Sequence, residues 1–298
     1  MSRTLALVAL WSIGGCAVND DTTNSKQAIT TENGISLNGI SLNGISLNGI
    51  SLNGISLNGI SLNGISLNGT PIGAATSGPP LAGAGLVGST WTGHGTSGTT
   101  ITLRLDAAQQ GTGANADVWS YLVSASSGGA WQPLCVDSAG NPAYADSVAG
   151  SWNLAVGTTG GGSYNAGTSD FTLACRGSTI AKCVELGYKA WTGATRELAA
   201  CVRALRGDYC GDGTPYTVNG TLVNIFDDAG IQSDGAAWDP EAAWSPSGAL
   251  CVSKKKAARF DQDAHIRPWC YPHAVKPDKS CGTGFTTGVT IITELPPL

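Results

Sequence analysis

Charged side chains are scarce in this chain of 298 residues, since Asp, Glu, Lys and Arg together supply only 12% of it. The formal net charge of −5 lacks the basic surplus with which nucleic-acid-binding proteins contact phosphates, so no nucleic-acid partner is expected. The one basic run, residues 254–256 followed by Arg259, is interpreted as a solvated face. Low charge together with a hydrophobic fraction of 42% excludes a charged coiled coil and a strongly charged disordered chain. The composition predicts a turn-rich globular protein with low-complexity sequence attached.

The sequence also lacks the short signatures of common enzyme classes. It contains no G-x-S-x-G, no H-E-x-x-H and no G-x-x-x-x-G-K-[ST]. The remaining catalytic alternative is a secreted hydrolase, whose site would be assembled by folding from His94, His265 or His273 with Asp208 or Asp212. Because these residues show no catalytic spacing, the sequence favours a non-catalytic binding or structural module.

The apolar run near the start of the sequence is too short to remain in a membrane. Residues 4–13 form a stretch of ten, which as a helix rises about 15 Å, half of the roughly 30 Å hydrocarbon core. This stretch predicts a signal peptide over residues 1–15, and Gly14-Gly15-Cys16 resembles the cleavage site of a bacterial lipoprotein. We expect Cys16 to be acylated and to anchor the protein at the outer membrane or cell surface. Ordinary secretion, with cleavage nearby, is the alternative.

The cysteine count indicates the same compartment. Nine cysteines minus the lipidated Cys16 leave an even number: Cys135, Cys175, Cys183, Cys201, Cys210, Cys251, Cys270 and Cys281. No two of these are separated by only two residues, and the histidines form no zinc-type pair with one another, so disulfides are favoured over zinc. Eight paired cysteines predict four disulfides in an oxidising environment. On the order of a hundred connectivities stay open.

Low-complexity sequence precedes the predicted globular domain. Residues 16–34 are polar and predict a flexible tether, and residues 35–69 contain seven perfect copies of the unit ISLNG. The unit resembles a pentapeptide-repeat β-solenoid, in which a bend at each Asn-Gly points Ile and Leu inward. Seven copies give less than two turns of a four-sided coil, so a spacer is the preferred interpretation. Residues 70–85, rich in proline and glycine, predict a linker into a globular domain over residues 86–298.

Hydrophobic periodicity predicts an α+β fold with two different halves. The first half alternates like strands and predicts a β-sandwich or barrel up to about residue 175, with strands at residues 100–105, 118–123, 151–156 and 171–175. Helical spacing follows at residues 180–188, and again from Thr195, as the N-cap, to Gly207, as the stop. Asn219-Gly220, between two apolar runs, predicts a β-hairpin. The second half therefore combines helices and a hairpin, stapled by disulfides.

Four tryptophans accompany the predicted strands: Trp91, Trp119, Trp131 and Trp152. An indole ring suits the apolar face of a pyranose, so one interpretation is a sugar-stacking surface. The preferred interpretation is that these side chains belong to the core, where large aromatic residues are mostly found. The candidate partners are a polysaccharide or a protein, besides the membrane reached through the lipid.

Four blocks in the second half carry a family resemblance. They are GYKAW at residues 187–191, RGDYCGDG at residues 206–213, EAAW at residues 241–244 and GALC at residues 248–251. Together they resemble the ADYC domain of exported myxobacterial proteins, over most of residues 86–290. Gly207 stands where the motif that names the domain has alanine. The domain has no established activity, so the resemblance implies a fold and no mechanism.

Within the RGDYCGDG block, Asp208 and Asp212 imitate the first half of a calcium loop. The third position is Cys210, a poor calcium ligand, and the twelfth is Asn219, where a bidentate glutamate is needed. The preferred interpretation is therefore turn chemistry, in which the two carboxylates accept backbone N–H bonds. No metal site and no cofactor are expected.

Overall fold

The computed structural model describes residues 29–31, 60–61, 82–94, 100–126, 129–137, 139–153, 155–166, 171–217, 220–254, 258–262 and 267–297. The predicted signal peptide, Cys16 and His265 lie outside these residues, as does the repeat apart from Ile60 and Ser61. In the part of the chain that the structure describes, no helix is long and apolar enough to cross a membrane.

Strands dominate the described residues. The first group is β1 Ile29–Thr31, β2 Ile60–Ser61, β3 Thr90–His94, β4 Thr100–Gln110, β5 Trp119–Ser126, β6 Gln132–Pro133, β7 Tyr144–Ala149, β8 Ser151–Trp152, β9 Tyr164–Asn165 and β10 Phe171–Cys175. The second group is β11 Thr221–Asp227, β12 Asp239–Ser245, β13 Gly248–Ser253, β14 Lys276–Asp278 and β15 Ile291–Leu295. The α-helices are α1 Thr179–Glu185, α2 Thr195–Arg206 and α3 Arg259–Gln262, and short 3-10 helices span Ala84–Leu86, Gly113–Asn115 and Ala190–Thr192.

The N-terminal half is one antiparallel sheet with the strand order β2-β10-β7-β5-β4-β3, and β6 also pairs with β5. Leu103 and Leu105 on β4 are buried while Arg104 between them is half-buried, which is the alternation that the sequence predicts. The described strands of this sheet form an open path, so the expectation of a closed barrel is wrong for them, and β8 and β9 form a separate two-stranded sheet. One face packs on Leu134 and Cys135, and the other packs towards α1.

Two helices follow, and local signals set their ends. Ser178 caps α1, its hydroxyl oxygen accepting a hydrogen bond from the Ala181 N–H at 3.3 Å. Gly207 ends α2 in the left-handed conformation, with φ 65°, as the sequence predicts. Thr195 is the first helical residue rather than the predicted cap, a position that Ala194 holds without a side-chain hydrogen bond.

The C-terminal half is a second sheet with the order β1-β11-β15-β12-β13-β14, antiparallel except for the β13–β14 pair. Helix α2 packs against β12, β13 and β15, and Trp244 and Ile291 are fully buried in the core below it. The predicted hairpin at Asn219-Gly220 is wrong in its pairing. The N–H groups of Tyr216 and Thr217 donate to the Arg206 carbonyl, and β11 pairs with β1 and β15.

The eight cysteines after Cys16 form four disulfides, which confirms the number of disulfides that the sequence predicts. The pairs are Cys135–Cys175, Cys183–Cys201, Cys210–Cys270 and Cys251–Cys281. The first lies in the N-terminal half and the second joins α1 to α2. The other two join the segment of residues 270–281 to the turn after α2 and to β13. Mostly β-sheet with few helices, the fold is α+β in its broad class.

Candidate functional site

The turn after α2, residues 207–213, is built on one buried carboxylate. Asp208 is fully buried, forms an ion pair with Arg203 and accepts N–H bonds from Asp212 at 3.1 Å and Gly213 at 2.9 Å. Burial raises the pKa of Asp208 and Arg203 acts in the opposite direction. Asp208 therefore accepts backbone N–H bonds within a turn, as the sequence predicts.

Tyr209, the next residue, fixes the turn to the core. Its hydroxyl donates to Glu241 Oε1 at 2.5 Å, and the buried Arg259 donates to the same oxygen at 2.7 Å. The hydroxyl of Thr293 reaches the other oxygen at 2.8 Å. Burial acts to raise the pKa of Glu241, but Arg259 and these hydrogen bonds hold it below its usual value. The interpretation of Arg259 as part of a solvated basic face is therefore wrong, because its guanidinium is buried and forms an ion pair with the Glu241 carboxylate.

A glycine-rich loop, residues 155–163, packs directly on this turn. Arg203 donates to the Gly161 carbonyl at 2.6 Å, and the Gly157 N–H donates to the Asp212 carbonyl at 2.9 Å. A Cβ at Gly161 would collide with the carbonyl oxygens of Asp212 and Ala155, so only glycine permits the approach. The loop and the turn therefore form one unit.

On the surface of this unit lies Trp269. The Cys210–Cys270 disulfide ties its neighbour to the turn, and the indole Nε1–H donates to Asp212 Oδ2 at 2.7 Å. The other oxygen of Asp212 accepts the Thr214 N–H at 2.9 Å, so the buried carboxylate is itself held in place. Trp269 is nevertheless 71% exposed, the highest value among the large hydrophobic side chains that the structure describes.

The structure brings Asp208 and Asp212 together but not with a histidine whose side chain is described. His273 is exposed, and within the described residues no hydrogen bond links it to either aspartate. His94 lies on β3, where only the backbone is described, and His265 lies outside the described residues. Among the described residues no group of three His, Cys, Asp or Glu side chains could hold a metal ion.

The tryptophans named from the sequence have different environments. Trp152 is buried and stacks on Tyr164 at 4.6 Å between ring centroids, and Trp119 packs half-buried on the N-terminal core. Trp131 is 38% exposed, but the Arg104 guanidinium covers its ring at 4.6 Å from the centroid. Of Trp91 only the backbone, on β3, is described. The sequence reasoning missed Trp269 as a candidate, although its place beside Cys270 was a signal that it is held near a disulfide.

Fold and site together define a disulfide-stapled α+β domain in which buried carboxylates hold the turn of residues 207–213 and the exposed Trp269 is hydrogen-bonded to that turn. Residues 83–258, more than half of the chain, match the ADYC domain, and the chain belongs to this family, as the sequence blocks indicate. No curated protein and no solved structure matches the chain. The matched region contains Asp208 and Asp212, whereas Arg259 and Trp269 lie beyond its end.

Proposed function

We propose that the protein is an exported surface protein, anchored through a lipid on Cys16, whose domain binds an envelope polymer or partner without catalysis. The observation that carries the binding role is Trp269, 71% exposed yet fixed by a hydrogen bond and by the adjacent disulfide. Rigid, accessible tryptophans are typical anchors of binding surfaces, because they offer a large contact area at a small entropic cost.

The contacts of the two aspartates support a non-catalytic role. A general acid or base must reach a proton of the substrate, but Asp208 is buried in its ion pair with Arg203. Asp212 is also buried, and its two oxygens accept hydrogen bonds from Thr214 and Trp269. Both carboxylates therefore already serve the local structure.

The disulfides and the sequence before the domain support the export part of the proposal. Four disulfides suit an oxidising compartment, because cytosolic thiols are kept reduced. As a spacer, residues 35–69 would extend on the order of 100 Å above the lipid. Labelling cells with a fatty-acid analogue tests the anchor: the wild type should carry the label and Cys16→Ser should not. An unlabelled wild type would refute the lipid anchor.

Retention on washed envelopes of the producing cells tests the binding role. Trp269→Ala should reduce retention of the purified chain at least about tenfold, because the exposed anchor is lost. Trp131→Ala is the matched control, since its ring is already covered by Arg104, and it should retain wild-type binding. Equal retention by the two variants contradicts the proposal. If the wild type turns over a substrate and His94→Ala, His265→Ala or His273→Ala abolishes that turnover, the binding role is wrong and the hydrolase alternative replaces it.

A further inference from the structure

The indole ring of Trp269 is oriented before any ligand arrives. Its ring nitrogen is bonded to Asp212, and Asp212 is held in turn by the Thr214 N–H and, through its carbonyl, by the Gly157 N–H. The next residue, Cys270, is covalently bound to Cys210. Because these bonds restrain the edge of the ring and the backbone beside it, binding to the ring requires little further loss of conformational entropy.

Exposed polar side chains lie close in sequence to Trp269 and to the loop that contacts Asp212. The exposed chain neighbours of Trp269 include Arg267, Pro272 and His273. The glycine-rich loop, whose Gly157 N–H donates to the Asp212 carbonyl, exposes Thr158 and Thr159. Exposed hydroxyl groups therefore follow Gly157 in the sequence, and an exposed imidazole and an exposed guanidinium lie near Trp269 in the sequence.

This composition discriminates between classes of ligand. A protein-binding anchor normally lies within a wide contact surface rich in aromatic side chains, and a membrane-binding surface needs several apolar side chains together. An exposed indole with polar side chains close to it in sequence instead matches a pyranose, whose axial C–H groups form an apolar face and whose equatorial hydroxyls form a polar rim.

Building on the binding role proposed above, we infer that Trp269 is the stacking platform of a carbohydrate site, and that Asp212 is the residue that positions the ring. The ligand class is a polymer of pyranoses with equatorial hydroxyls, such as β-1,4-linked glucose or N-acetylglucosamine. The exposed residues 157–160 of the glycine-rich loop and the exposed side chains beside Trp269 form the polar rim that contacts the sugar hydroxyls.

Titration calorimetry of the full mature chain with cellohexaose and with chitohexaose tests the inference. At least one oligosaccharide should bind, and Trp269→Ala should weaken its binding at least about tenfold. Trp269→Tyr keeps an aromatic face and should recover part of the affinity, whereas Trp131→Ala should stay within about twofold of the wild type. Thermal unfolding of each variant verifies its fold, which an exposed side chain should leave intact.

The role of Asp212 needs a readout that a general loss of stability would not move. Asp212→Asn keeps one oxygen that can accept the indole N–H, although its NH2 group then faces the Thr214 N–H, so it should retain part of the oligosaccharide affinity. It should also keep the indole N–H resonance of Trp269, which is identified by its absence from the NMR spectrum of Trp269→Ala, near its wild-type position. Asp212→Ala removes both acceptors, so it should weaken oligosaccharide binding further and shift this resonance to the position of a solvent-exposed indole. Equal behaviour of the two variants would overturn the positioning role.

The outcomes separate this inference from the proposed function. If Trp269→Ala loses envelope retention while neither oligosaccharide binds the wild type, the ligand is not such a sugar, and only the carbohydrate inference falls. Vesicles of phosphatidylethanolamine and phosphatidylglycerol form a further arm, in which Trp269-dependent binding without sugar binding would also overturn it. If Trp269→Ala retains both envelope and oligosaccharide binding, both proposals fall.

Discussion

Asp146 on β7 is a fully buried carboxyl with one oxygen unused within the described residues. Its other oxygen accepts a hydrogen bond from the Ser120 hydroxyl at 2.6 Å and lies 3.4 Å from Arg176 Nε. Burial, reinforced by the nearby Glu185, raises the pKa of Asp146 to about 7. The folded protein therefore holds a proton there that the unfolded chain releases near pH 4.

This difference predicts the sign of a pH dependence. Between about pH 4 and pH 7 the folded state binds more protons at Asp146, so the free energy of unfolding falls as the pH rises. Relative to Asp146→Asn, the wild type should lose on the order of 2–4 kcal/mol over this range, as measured by urea unfolding. Ser120→Ala keeps the carboxyl and should keep the pH dependence. Parallel profiles for the wild type and Asp146→Asn would contradict the prediction.

Glu241 and Arg259 form a buried ion pair whose disruption should be costly. Glu241→Gln leaves the fully enclosed guanidinium without a counter-charge, so we expect a loss of about 3–5 kcal/mol in the free energy of unfolding. Asp228→Asn is the control, because its partner Arg196 has a side chain 52% exposed, and it should cost less than about 1 kcal/mol. Urea unfolding of both variants tests this, and similar losses would contradict it.

The sequence could identify some of these residues and not others. Asp208 and Asp212 stand in a motif with turn residues, so their hydrogen bonds to the backbone were predictable. Arg259 follows a basic run, and only its approach to Glu241 in the folded chain distinguishes it from a solvated residue. Trp269 is held in position by the disulfide of its neighbour Cys270 with Cys210, sixty residues earlier in the chain. A count of cysteines cannot identify which cysteines are paired.

At the scale of elements, the contact between the glycine-rich loop and the turn makes a prediction. Gly161→Ala places a methyl group against two carbonyl oxygens, so it should cost about 1–3 kcal/mol and weaken any binding that depends on Trp269. Gly129→Ala is the control, because a Cβ there meets no atom within 4 Å. Chemical unfolding together with envelope retention measures both effects. A Gly161→Ala protein as stable as the control would show that the loop can move aside.

The elements that the sequence predicts are those with local signals. Helix α2 ends at Gly207 because the glycine adopts the left-handed conformation of the helix stop, and β4 shows the alternation of a strand with two different faces. Strand β15 was not predicted, because all five of its residues are buried and no alternation remains. The hairpin failed because β11 finds its partners far away in the sequence rather than across the Asn-Gly turn.

At the scale of the whole molecule, the two described residues of the repeat pair with the N-terminal sheet. Ile60 and Ser61 pair with Leu173 and Thr172 on β10, at the edge of the N-terminal sheet. Two residue pairs stabilise a fold little, so deletion of residues 35–69 should shift the thermal midpoint by no more than a few degrees. Leu173→Ala, which opens a cavity on the same strand, should lower it much further. A deletion as harmful as this substitution would make the repeat part of the fold.

Strand β15 comes later in the chain than β11 and β12, yet it lies between them in the C-terminal sheet. Both neighbours are synthesised before it, and neither can complete its pairing until residues 291–295 are available. We therefore expect the C-terminal half of a nascent chain to stay open until these residues have left the ribosome. Because this sheet closes through pairings that are distant in sequence, it should form more slowly than helix α2, whose hydrogen bonds are local.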